Sequence, residues 1–114
     1  MIHELCDLLR READAVAVLA GRMRALELVM AADERRFVPL ALEEVEAAAE
    51  RLAALELTRV LVLSTAGLPA DLAATGLVDR VADPDLRARV REAIGELVRA
   101  TGRLADGLGP LVRR

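Results

Sequence analysis

The chain has 114 residues and a net charge of −3, with 54 % apolar and 31 % charged residues. Its apolar share is too high for a disordered tail, a single cysteine cannot form an internal disulfide framework, and no apolar run approaches the ~18 residues of a membrane span. Lys, Asn, Gln, Tyr and Trp are absent and Phe37 is the only aromatic, which removes lysine Schiff bases, amide-based recognition and base-stacking platforms.

What remains is a helix-forming vocabulary of Ala, Leu, Arg and Glu, with 22 Ala, 21 Leu and 12 Val among the apolar residues. All 16 basic residues are Arg, and the charge is mildly asymmetric: 7 Arg against 12 acids in residues 1–57, 9 Arg against 7 acids in 58–114. Such a balance gives no general affinity for phosphate backbones, so no nucleic-acid partner is expected. Met1-Ile2-His3-Glu4-Leu5 has no basic leader followed by an apolar core. A cytoplasmic protein without membrane insertion is therefore expected.

The first predicted element is a long amphipathic helix over about 2–31. Ile2, Leu5, Leu9, Val16, Leu19, Met23, Leu26 and Met30 alternate at threes and fours, and the stripe is interrupted only at Glu12. Cys6, Ala13, Ala17, Ala20 and Val29 widen it, as in a helix that contacts two neighbours. Asp33 is placed to cap the next helix.

A second helix is predicted over about 35–65, starting somewhere between Glu34 and Pro39 because proline fits only in a first turn or at a kink. Its seam reads Val38, Leu42, Val45, Ala49 and Leu52, joined by Ala41, Ala48, Leu55 and Val62. Val60-Leu61-Val62-Leu63 is β-branched enough for a buried strand, but no second strand exists to pair with it, so it is read as helix. Thr65-Ala66-Gly67, with Pro69 beyond, marks the stop.

Residues 66–83 are read as a connector with short helical turns at Asp71–Ala74 and Leu77–Ala82. Asp83-Pro84-Asp85 then combines a cap, a first-position proline and an acid near the positive end of the helix dipole. From there a third helix is predicted over about 84–107, with Gly107-Leu108-Gly109-Pro110 ending or fraying it. The expected fold is all-α: an elongated antiparallel three-helix bundle of two long helices, the connector and a C-terminal amphipathic helix. Helices of about 25 to 30 residues are roughly 40 to 45 Å long, which makes a rod. An incomplete seam in such a rod can be closed by a client or by self-association into a homo-oligomer. The third helix, with its narrow leucine stripe, is the expected place.

Several residues could carry chemistry. His3, Cys6 and Asp7 share a helical face at metal-ligand spacing, but they sit in the first turn without a fourth ligand, and Cys6 reads as a small core residue. Arg10, Arg11, Glu12, Asp14, Arg22 and Arg24 resemble the first helix of the all-helical chorismate mutases, whose arginines clamp a dicarboxylate. That site also relies on a lysine, and usually a late glutamine or glutamate, and this chain has no Lys or Gln. Surface pairing of Arg10 with Asp14 and of Asp7 with Arg11 is the plainer expectation. No metal, cofactor or enzymatic activity is predicted. Glu56 and Arg59 interrupt the apolar run of the second helix, either as a pair that sets register or as an ordinary surface pair.

The layout as a whole resembles the FlgN family of flagellar export chaperones. A long first helix begins E-L-x-x-L-L, a break follows at Ala31-Ala32-Asp33, and the second helix carries V-E-A-A-A-E-R-L-A-A-L-E-L-x-R from Val45 to Arg59, with Leu52, Glu56 and Arg59 matching L-x-x-x-E-x-x-R. A polar connector and a last leucine-rich helix complete the likeness. The resemblance implies a chaperone that binds the C-terminal amphipathic segments of hook–filament junction proteins, keeps them unpolymerised and delivers them to the flagellar export apparatus. It also implies partner binding by the last helix, through Ile94, Leu97, Thr101, Leu104 and Leu108. Thr101-Gly102-Arg103 stands where the family usually has asparagines, and the last helix is shorter than usual. A generic helical interaction or regulatory module is the alternative, with a small mutase behind it.

Overall fold

The structure is a computed structural model and describes residues 2–68 and 78–112, with side chains described as far as residue 107. The chain is all-α: α1 spans Ile2–Ala31, a 3₁₀ turn Arg35–Phe37, α2 Val38–Thr65 and α3 Pro84–Val112. The described residues contain no strand, and Val60–Leu63 lies inside α2. The predicted turn at Asp71–Ala74 lies outside the described residues. Of the one at Leu77–Ala82, Val78 and Asp79 are helical.

Backbone chemistry explains the boundaries. At the end of α1, Asp33 adopts a left-handed φ of 56°. Its N–H bonds to Met30 O, and that of Glu34 to Val29 O. These paired bonds form the motif that usually places glycine at this position. Asp33 therefore closes α1 rather than capping α2 as expected, and no side chain caps either the 3₁₀ turn or α2. The start of α2 falls inside the expected window between Glu34 and Pro39, because Pro39 lacks an N–H and is tolerated only in a first turn. Arg35–Phe37 winds as 3₁₀, and α2 begins at Val38. The other end of α2 repeats the closing motif with Gly67 at φ 74°, its N–H on Ser64 O and that of Leu68 on Leu63 O.

The start of α3 is as expected: Asp83 Oδ1 accepts the Asp85 N–H at 2.9 Å. Its end is later than expected, because helix continues through Gly109 and Pro110 to Val112. A proline this close to a C-terminus removes only one hydrogen bond before the helix stops.

The molecule is a rod of 54 × 22 × 19 Å. Its centre is α1, which contributes eleven described buried residues against three from α2. Three apolar clusters lie along it. Leu5, Cys6 and Leu9 pack with Leu63, Val81, Val90 and Ala93. Ala13 and Val16 pack with Ala100, Leu52 and Leu97, and Leu19 and Met23 pack with Ala48 and Val45. The seam of α2 thus runs through Ala41, Val45, Ala48 and Leu52, while Leu42 and Ala49, expected on it, are exposed. Both outer helices leave apolar residues uncovered: Val90, Ala93 and Ala100 of α3 are buried, whereas Val98 of α3 and Leu40, Leu57 and Leu61 of α2 are more than half exposed. Alanine on both sides of α2 makes either face able to pack, and α1 covers only one.

Candidate partner-binding groove

Helices α2 and α3 each pack against α1, yet among the described residues no Cα of α2 comes within 8 Å of one of α3. Directly packed helices have axes about 8–10 Å apart, so a groove separates this pair. Its floor is Glu12 and Val16 of α1. Leu52, Glu56 and Arg59 of α2 form one wall and Leu97, Thr101 and Leu104 of α3 the other, around an open volume of about 310 Å³.

Helical periodicity places each group. Glu12 occupies a core position in the α1 stripe and is 1 % exposed. On α2, Arg59 continues the inward row of Leu52 and Leu55. Each seam thus carries one inward charge of opposite sign, and the two meet: Arg59 Nε donates to Glu12 Oε1 at 2.9 Å. Glu12 Oε2 is fully buried and accepts no hydrogen bond. Burial pushes the Glu12 carboxyl above the usual carboxylate range, an effect partly offset by the hydrogen bond and charge of Arg59 and reinforced by the charge of Glu56.

Of the five residues expected to bind a partner, Leu97, Thr101 and Leu104 line the groove. Ile94 packs instead against the cluster around Val90, and the side chain of Leu108 lies outside the described residues. The expected pairing of Glu56 with Arg59 is replaced by the longer-range Arg59–Glu12 bond. In the sequence, Glu12 stands out as the gap in an apolar stripe, and that gap is the signal for its place in the core. The surface pairs expected for Arg10 with Asp14 and Asp7 with Arg11 do not form. Besides Glu12–Arg59, the ion pairs made by described α1 side chains are Arg24–Glu27 at 2.8 Å and Arg22–Glu44 at 3.5 Å.

Cys6 is buried among Leu5, Leu9, Val90 and Ala93, and desolvation raises its thiol pKa. The described residues include no buried arginine. A second, larger hollow of about 560 Å³ opens beside Glu4, Thr58, Leu61, Val62, Thr65 and Ala66. Thr58 and Thr65 donate their hydroxyl hydrogens to Ala54 O and Leu61 O of their own helix. No described helix is long and apolar enough to cross a membrane. No family model matches the chain, and comparison with curated proteins and with solved structures gives no match.

Proposed function

We propose that this chain is a non-enzymatic helical binding protein that seats an amphipathic helix of a partner in the groove between α2 and α3. The observation that carries the reading is the gap itself: two helices share α1 as a common floor but leave each other apart, the place a fourth helix occupies in a four-helix bundle. Val16, Leu52, Leu97 and Leu104 would receive apolar anchors at helical spacing. In this reading the chain is an antiparallel three-helix bundle. Leu63 late in α2 packs with Leu5 and Leu9 early in α1, Ala48 packs with Leu19 and Met23, and α3 follows α1 in the same sense.

Among helix-binding proteins, the likeness in layout to FlgN chaperones supports a flagellar export chaperone acting in the cytoplasm on hook–filament junction proteins and passing them to the export apparatus. The three expected contact residues on the groove wall fit that role. A mutase reading has less support, since its clamp requires several inward arginines and the groove holds only Arg59.

The test is binding of C-terminal peptides from junction proteins to the wild type and to Leu97→Asp, Leu104→Asp and Thr101→Glu. Thr101 is exposed, so its variant separates groove contacts from folding. Micromolar or tighter binding by the wild type, weakened at least about tenfold in variants with unchanged helical circular dichroism, is expected. Equal binding by wild type and Thr101→Glu would remove the groove from the reading, and no binding by the wild type would remove the client. The alternative, a helical interaction module of another system, draws on the exposed Leu57 and Leu61 of α2; it predicts self-association by sedimentation that Leu57→Glu abolishes.

A further inference from the structure

We infer that the helix seated in the groove carries a cationic side chain, Arg or Lys, among its apolar anchors, and that this cation pairs with Glu12. The inference rests on the helix-in-groove reading and adds the chemistry of its occupant. Glu12 holds a core position on the groove floor with one oxygen on Arg59 and the other, Oε2, buried and unpartnered. A buried carboxylate oxygen without a donor is costly, and a helix laid over it removes the water that the open groove still admits nearby.

An all-apolar occupant would deepen that cost. A neutral donor would satisfy the oxygen but leave the charge balance as it stands: Glu12 and Glu56 against Arg59 alone. A cation satisfies both, because ionised donors form the stronger hydrogen bonds and the third charge brings the groove to neutrality. The groove therefore selects against purely hydrophobic helices, a means of rejecting partners as well as holding one. Arg59 bonds Oε1 alone and leaves Oε2 without a donor.

The experiment uses two designed 18-residue amphipathic peptides, identical except for one central residue of the apolar face, Arg in one and Met in the other, with the full chain titrated by fluorescence anisotropy. The wild type is expected to bind the Arg peptide about tenfold tighter than the Met peptide, the magnitude of one charge-assisted hydrogen bond. Glu12→Gln, which keeps the shape of the side chain, is expected to lose that preference, and Glu56→Gln to keep most of it. Equal affinity of the two peptides for the wild type overturns the inference and leaves helix binding standing. A preference that follows Glu56 instead of Glu12 also overturns it. Failure of both peptides to bind overturns the helix-in-groove reading together with the inference.

Discussion

Arg59 Nε donates to Glu12 Oε1 across 47 positions of sequence, and it does so at 2.9 Å on the floor of a groove. The pair is unequal: the Glu12 side chain is 1 % exposed, that of Arg59 32 %. Water can take over the arginine if its partner is lost, but not the carboxylate. Removing one member therefore has a different consequence from removing the other.

This inequality gives the first prediction. Arg59→Ala strands a buried carboxylate and should destabilise the fold by about 2–3 kcal/mol, at the lower end for a broken buried pair because Arg59 is partly solvated. Glu12→Gln should cost less than about 1 kcal/mol, and the double variant Glu12→Leu with Arg59→Met should be neutral or stabilising. Urea denaturation with an unchanged m-value measures all three. Equal losses for the two single variants would show that the pair is a surface contact.

A second prediction concerns pH. Burial raises the folded-state pKa of Glu12 above its ordinary 4.5, so the folded state holds this proton more tightly than the unfolded chain. The resulting stability is fully present below about pH 4.5 and is lost as pH rises through the folded pKa. The charged groups facing Glu12 are Arg59 and Glu56. Thermal midpoints of the wild type relative to Glu12→Gln should thus be highest in mild acid and fall toward neutrality. Parallel curves across that range would mean that Glu12 is not desolvated.

A third prediction tests the end of α2. A Cβ on Gly67 would meet nothing within 4 Å, so Gly67→Ala has no steric neighbour to disturb. Its φ of 74° alone should cost about 1–2 kcal/mol. A drop in thermal midpoint of several degrees is expected for a domain of this size, whereas an unchanged midpoint would place the strain elsewhere.

Much of the architecture was legible in the residues. The threes and fours of Leu5, Leu9, Val16 and Leu19 defined α1, and Asp83-Pro84-Asp85 marked the first turn of α3 through a side-chain cap that depends on adjacent residues only. Gly67 ended α2 for an equally local reason. Asp33 was harder to read, because a short polar residue serves either as an N-cap or in a left-handed closing position, and only the conformation of the chain around it separates the two.

The groove was legible in part. Leu97, Thr101 and Leu104 could be singled out along one helix, but their opposite wall, Leu52, Glu56 and Arg59, could be assigned to them only once α2 and α3 had docked. The expected seam of α2 kept Ala41 and Ala48 and lost Leu42 and Ala49 for the same reason: a helix rich in alanine and leucine has apolar residues on more than one side, and periodicity alone does not rank them.

The sequence by itself determined that this protein is helical, where α2 stops and α3 starts, and that one acid interrupts an otherwise apolar stripe. Those properties follow from backbone sterics, capping and spacing within a few turns. Only the tertiary structure decided that α1 lies at the centre, that α2 keeps an apolar face exposed, and that Glu12 meets Arg59 with one oxygen left over. Such outcomes depend on how three rods share a limited apolar surface, a competition among distant segments that no local pattern records.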